Sequence, residues 1–167
     1  MQVVQPIKDV EKIKEIQTIL KKQSDRDWLL FTIGISSGLH LTDILKLKVS
    51  DVQDKTVVSL REERTGKMKS FKLTDELIHA LREYNKSMDS NDYLFRSQRT
   101  GQPIKRIRVY RILNEAAKQA GLEDVGTHTM RKTYGYHVYL KTNDVMRLKE
   151  LFNHSAPSVT LKYIGLV

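Results

Sequence analysis
The chain contains no cysteine. That excludes disulfide staples and thiolate metal sites, and it fits a reducing cytoplasm. No apolar run approaches the ~18 residues that a membrane span needs, and the polar N-terminus lacks the apolar centre of a secretory leader. No Walker loop and no carboxylate cluster is present, so no residue pattern calls for a nucleotide or a metal cofactor. Internal repeats and low-complexity segments are missing as well. Acidic residues are in short supply: 20 against 29 lysines and arginines, giving a net charge of +9 and a pI near 9.7. Such a balance favours a polyanionic partner, nucleic acid before an anionic membrane, with a merely soluble basic protein as the bland alternative. At 167 residues the chain suits one domain, with room for a small appendage, and can bury a proper core.

What is present reads mainly as helix. Residues 1–8 form an extended lead-in, and Asp9 caps a helix with apolar positions Val10, Ile13, Ile16 and Leu20. Ser24 caps a second helix, apolar nearly all round from Trp28 onward and therefore central, which Gly38 ends in a left-handed conformation. A short helix covers Leu41–Leu47. Thr56–Leu60 and Met68–Leu73 read as strands joined by a turn at Arg64-Thr-Gly66-Lys67, which sets Lys67 at a hairpin tip. Thr74 caps a helix ending near Ser87, and Met88–Asp92 is a polar linker. After a turn at Thr100–Pro103, a helix runs to Ala120 with Gly121 as its stop. Its front carries Lys105, Arg106, Arg108 and Arg111, which suits a solvated surface and a phosphate-gripping face equally well. Two further helices start from Thr127 and Asn143, and a short one starts at Pro157. The expected fold class is mainly α with one small antiparallel β-hairpin (α+β), in a single domain over residues 1–167.

Chemistry concentrates between Gly126 and Tyr163. His128 and Arg131 are spaced i,i+3, which sets both on one side of a helix. His154 and Tyr163 follow. Imidazoles, a guanidinium and a phenol together suit a phosphodiester attacked by a tyrosine, although each motif alone is weak. In order, they form a pattern: Ser37-Gly-Leu-His40-Leu-Thr-Asp43, Thr65-Gly-Lys67, His128-Thr-Met-Arg131, Asn153-His154-Ser155 and Thr160-Leu-Lys-Tyr163. Over nearly its whole length the chain resembles the catalytic domain of the tyrosine recombinases, the phage-integrase family.

That resemblance implies a metal-free and cofactor-free exchange of DNA strands. Tyr163 would attack the scissile phosphorus to give a 3′-phosphotyrosyl link and a free 5′-hydroxyl. Arg131 and His154 would hold the non-bridging oxygens, His128 would assist proton movement or hold the phosphate, and Lys67 would protonate the leaving oxygen. Asp43 would orient its neighbours, and Tyr134, Tyr136 and Tyr139 would be structural. Double-stranded DNA is the implied partner, bound by a dimer or tetramer that is a monomer alone, with Lys105, Arg106, Arg108, Arg111 and Lys132 as phosphate contacts. The family's N-terminal DNA-clamping domain has no counterpart in residues 1–167.

Four positions depart from the family pattern. His40 stands where the family has arginine; a histidine is mostly neutral at neutral pH and offers one donor rather than a fork. The expectation is a site that binds the phosphate yet turns over slowly, and faster in mild acid. A recombinase-like module that binds DNA with impaired chemistry is the alternative. Lys132 replaces a second histidine that often follows the arginine, and Phe152-Asn153 replaces Leu-Gly.

Overall fold
A computed structural model of the chain describes residues 4–167. The part of the lead-in at 1–3 lies outside the described residues. In order, the elements are α1 (Val10–Gln23), α2 (Asp25–Ser37), α3 (Leu41–Leu45), α4 (Val49–Val52), β1 (Val57–Arg61), β2 (Met68–Lys72), α5 (Asp75–Asn85), α6 (Arg106–Gln119), α7 (Thr129–Thr142), α8 (Val145–Phe152) and α9 (Pro157–Tyr163). The mainly helical class with one antiparallel ribbon is what the apolar spacing called for.

α2 is the central rod because its sequence has almost no polar side: Trp28 to Ile33 are all buried. Asp9 and Ser24 cap α1 and α2 by accepting from the backbone N–H of Glu11 and Asp27. α2 packs against α1, α5 and α7. Its approach to α7 depends on Gly34, since a Cβ there would collide with the Met130 side chain. Gly38, at φ 69°, ends α2 and turns the chain toward the site. β1 and β2 pair in register from Val57–Lys72 to Arg61–Met68.

Several boundaries differ from the periodicity. The helix expected over 41–47 stops at Leu45, and a separate turn of helix, α4, follows it. The cause lies outside the segment: the 88–92 stretch, expected as a plain linker, accepts from the N–H groups of Val49 and Ser50 through the carbonyls of Asp92 and Ser90. Leu94 N–H then donates to the Leu47 carbonyl at 2.8 Å. α7 begins two residues later than expected, because Thr129 spends its Oγ1 accepting from Gly126 N–H at 2.9 Å. Asn143 does not start α8; it closes α7 in a left-handed conformation, and Asp144 caps the next helix.

The buried side chains fall into two groups. A large core joins α1–α6, the ribbon and Met130 of α7. A small satellite of Leu148, Phe152 and Ile164 is backed by Tyr134, Tyr136, Tyr139 and Tyr163. Gly135 permits the satellite: a Cβ there would lie 2.6 Å from Ile164 Cγ2 and 2.9 Å from Phe152 Cε2. The lead-in straps α7 from outside, with Ile7 N–H donating to Thr133 Oγ1 and His137 Nε2 donating to the Ile7 carbonyl, both at 2.9 Å. The C-terminal helix therefore packs on this mixed aliphatic and aromatic satellite rather than on the main core.

Candidate active site
Arg131 is the hub. Its side chain leaves α7 buried at 5 % exposure. Nε donates to the Gly38 carbonyl at 2.9 Å, and one terminal nitrogen donates to His40 Nε2 at 2.9 Å. The other reaches the Leu151 carbonyl at 3.4 Å, and the guanidinium carbon sits 4.6 Å from the centre of the Phe152 ring. The left-handed end of α2 and the last turn of α8 thus fix this guanidinium before any ligand arrives. Burial lowers its pKa, while Tyr163, Glu62 and Asp43 pull the other way; an arginine remains charged at neutral pH.

An arginine can only donate, so His40 Nε2 accepts and the proton of neutral His40 sits on Nδ1. Burial first and Arg131 second push this imidazole below its ordinary pKa. The mild-acid activation expected from sequence therefore meets resistance in the free protein: protonating Nε2 would set two donors face to face.

His154, just past the end of α8, and Tyr163, the last residue of α9, come to the same point. Their rings meet edge-on with centroids 5.0 Å apart, and Phe152 lies 5.3 Å from Tyr163. The hydroxyl of fully buried Thr160 lies 2.8 Å from His154 Nδ1. With its proton donated there, Nε2 carries the ring's N–H and is the free donor. The Tyr163 oxygen is buried and has no well-formed hydrogen bond among the described residues. Burial raises the phenol's pKa, and the nearby Arg131 guanidinium opposes it.

The hairpin tip is tied to this cluster by groups that sequence reasoning passed over. Lys67 Nζ donates to Asn153 Oδ1 at 3.3 Å, and Asn153 Nδ2 donates to Glu62 Oε1 at 2.9 Å. Glu62 is 2 % exposed, an uncommon place for a carboxylate at the end of a hairpin strand. Its burial would raise the pKa, yet bonds from Thr65 and Asn153 outweigh that and leave it below the usual glutamate value. Asn153 sits at φ 59° where the family pattern has glycine, so asparagine's tolerance of this conformation adds a side chain that bridges lysine to glutamate. Asp43, also buried, accepts from Glu63 N–H at 3.1 Å and so fixes the base of the hairpin tip.

His128 flanks α7 at its N-cap without capping it, and it borders a cleft of about 430 Å³ lined also by His40, Thr42, Asp43, Glu63, Arg64 and Arg106. Burial, then the charges of Arg106, Lys132 and Arg131, lower the His128 pKa. The sequence alone marks Arg106 only as a phosphate contact on α6 and Arg64 only as part of a turn, yet both line this cleft. No local signal marks either, because both reach the cleft only through tertiary packing. Lys105, Arg108 and Arg111 lie on the exposed surface of α6. Lys132 does not. It is 8 % exposed, its ammonium donates to the Val4 carbonyl at 3.0 Å and lies 4.9 Å from the Tyr163 ring centre, so it is not presented to a DNA backbone.

A helical fold with a single β-ribbon, carrying a C-terminal phenol beside a buried arginine with imidazoles on both sides, is that of a tyrosine recombinase catalytic region. The chain belongs to the phage integrase family, whose sequence profile matches residues 8–166. It is 48 % identical over 166 residues to the probable integrase/recombinase YoeC of Bacillus subtilis (strain 168), covering 99 % of this chain and 92 % of that protein. Identity to the tyrosine recombinase XerA of Pyrococcus furiosus is 26 %, covering 92 % of this chain and 54 % of XerA. The crystal structure of the XerH site-specific recombinase bound to difH substrate, a pre-cleavage complex, superposes with a TM-score of 0.77 at 20 % identity. That match covers 97 % of this chain and 51 % of XerH, so the chain spans about half the length of the Xer recombinases it matches.

Proposed function
We propose that the chain carries out the strand-exchange chemistry of site-specific DNA recombination, with Tyr163 as nucleophile. The observation that carries this reading is the Tyr163 hydroxyl, buried beside Arg131 with no well-formed hydrogen bond among the described residues. Leaving a buried hydroxyl unpaired costs about 1–3 kcal/mol, a cost that persists where a ligand completes the site. A phosphodiester would do so. Its non-bridging oxygens would lie against the fixed Arg131 guanidinium and the Nε2–H of His154, where negative charge develops in the transition state.

The steps balance without an outside reactant. The phenolic oxygen of Tyr163 bonds to phosphorus as the bond to the 5′-oxygen breaks. The phenolic proton passes toward His128, and the Lys67 ammonium gives a proton to the departing 5′-oxygen. Attack by a second strand's 5′-hydroxyl reverses these steps and releases Tyr163. Asp43, Glu62 and Asn153 position the lysine and do not touch the phosphate. The partner is double-stranded DNA, engaged by a dimer or tetramer that assembles on it.

The test uses a nicked duplex whose short 5′-hydroxyl fragment diffuses away after cleavage, trapping the covalent adduct. The expected result is a denaturant-stable protein–DNA species with the natural chain and none with Tyr163→Phe, while both bind the duplex equally. Duplex binding without an adduct would instead make this a recombinase-like DNA-binding protein that does not cleave.

A further inference from the structure
We propose that Arg106 supplies the phosphate-gripping guanidinium that position 40 lacks, so that His40 and Arg106 together do the work of one active-site arginine. This rests on the recombination reading. His40 faces an electrostatic difficulty: its Nε2 is occupied by Arg131, and only the Nδ1–H remains for an anion. A neutral imidazole at this place leaves the site one positive charge short.

Arg106 is placed to make up that charge. It begins α6, and its guanidinium donates to Thr42 Oγ1 at 3.1 Å, on the same short helix that His40 caps. It lines the 430 Å³ cleft with His40 and His128. It also lines a narrow recess whose walls include His40, His128 and Arg131 itself. Arg106 therefore shares a wall with His40, His128 and Arg131. Of the two carboxylates in the cleft, Glu63 is paired with Lys46 at 2.5 Å, and Asp43 keeps its charge while an oxygen of it accepts from the hairpin backbone. Arg64 adds a further positive wall from the hairpin. The Thr42 bond is exposed and its acceptor is neutral, so a phosphate oxygen, which adds a charge on the acceptor side, competes well for the same donor.

The proposal makes Arg106 distinct from Arg108 and Arg111 on the same helix, and it predicts a rescue. The rate of adduct formation on the nicked duplex is measured at saturating DNA for the natural chain, Arg106→Ala, Arg106→Lys, His40→Arg and the His40→Arg/Arg106→Ala double variant. Duplex affinity is measured separately in a Tyr163→Phe background, and thermal unfolding confirms that each variant is folded. Arg106→Ala should lower the saturated rate by about 10²–10³-fold, the usual loss for one oxyanion donor. Arg106→Lys should recover part of it. The double variant should return to within about tenfold of His40→Arg, because a guanidinium at position 40 makes the one at 106 redundant. A saturated rate unchanged in Arg106→Ala, or a double variant as slow as Arg106→Ala, overturns the proposal. If the natural chain forms no adduct, the recombination reading fails on its own. Inorganic phosphate then decides the site: it should shift the His40 and His128 ring resonances in the natural chain, with affinity about tenfold weaker in Arg106→Ala, and equal shifts in both would refute it.

Discussion

The bridge from Glu62 through Asn153 to Lys67 makes a prediction that geometry alone can size. Asn153→Gly removes the bridging amide and leaves the backbone at ease, since φ is 59° there and glycine enters this region freely. Glycine's relief of the left-handed strain and its greater freedom in the unfolded chain roughly cancel, each about 0.5–1 kcal/mol. What remains is the bond from Asn153 to a buried, charged carboxylate at 2.9 Å. Hydrogen bonds to charged groups contribute about 1.5–3 kcal/mol, and the exposed lysine contact adds only a few tenths. Thermal unfolding at neutral pH should therefore fall by about 3–10 °C for a chain of this size. The loss should also depend on pH, with a definite sign. Glu62 is held below its ordinary pKa in the folded chain by Thr65 and Asn153. Its contribution is thus present above the unfolded glutamate value and lost as pH falls through the lower folded one. The gap between natural chain and variant should be full at neutral pH and close in acid below the ordinary glutamate range. With the lysine unmoored, adduct formation should slow on the order of tenfold, against the 10²–10⁴-fold expected when Lys67→Ala removes the acid altogether. Equal melting temperatures at neutral pH, or a gap that persists undiminished in acid, would refute the bridge.

Other consequences are open to direct measurement. His40, His128 and His154 are all held below the ordinary imidazole pKa, chiefly by burial, so the unfolded chain binds more protons and stability should drop as pH falls through about 6.5. His40→Gln, whose amide oxygen can still accept from Arg131, should flatten part of that drop in melting curves. Gly135→Ala should cost about 1–3 kcal/mol by overpacking against Ile164 and Phe152, and should reduce adduct formation more than duplex binding because α9 carries the nucleophile. Arg108→Ala and Arg111→Ala should each lower the slope of log affinity against log salt by about 0.9 wherever the side chain meets a phosphate, read by fluorescence anisotropy. Lys132→Met should leave that slope unchanged while lowering stability, because its ammonium is held on the Val4 carbonyl.

How much of this could be read from the chain follows from the range of the forces involved. Caps and apolar stripes are local, so α1, α2, the ribbon and α5 were legible, as was the left-handed turn at Gly38. α4 was not, since its first N–H groups are satisfied by the carbonyls of residues about forty positions away. The site divides along the same line. Tyr163, Arg131 and His154 were readable because the family pattern fixes their order. Glu62 was not: a glutamate in a basic hairpin looks like surface, and only its burial shows otherwise; Asn153 stood out as a departure from glycine, but its bond to Glu62 did not. Lys132 shows the converse, a cation in a basic chain that reads as a DNA contact until its carbonyl partner is seen. His40 combines both cases. Its departure from arginine was plain in the sequence, but its consequence depends on Arg131 occupying Nε2 and on Arg106 arriving from α6, neither of which a linear pattern encodes. Where a charge is missing from a pattern, the structural question is which distant residue now borders the vacant place, and here the fold brings a guanidinium there.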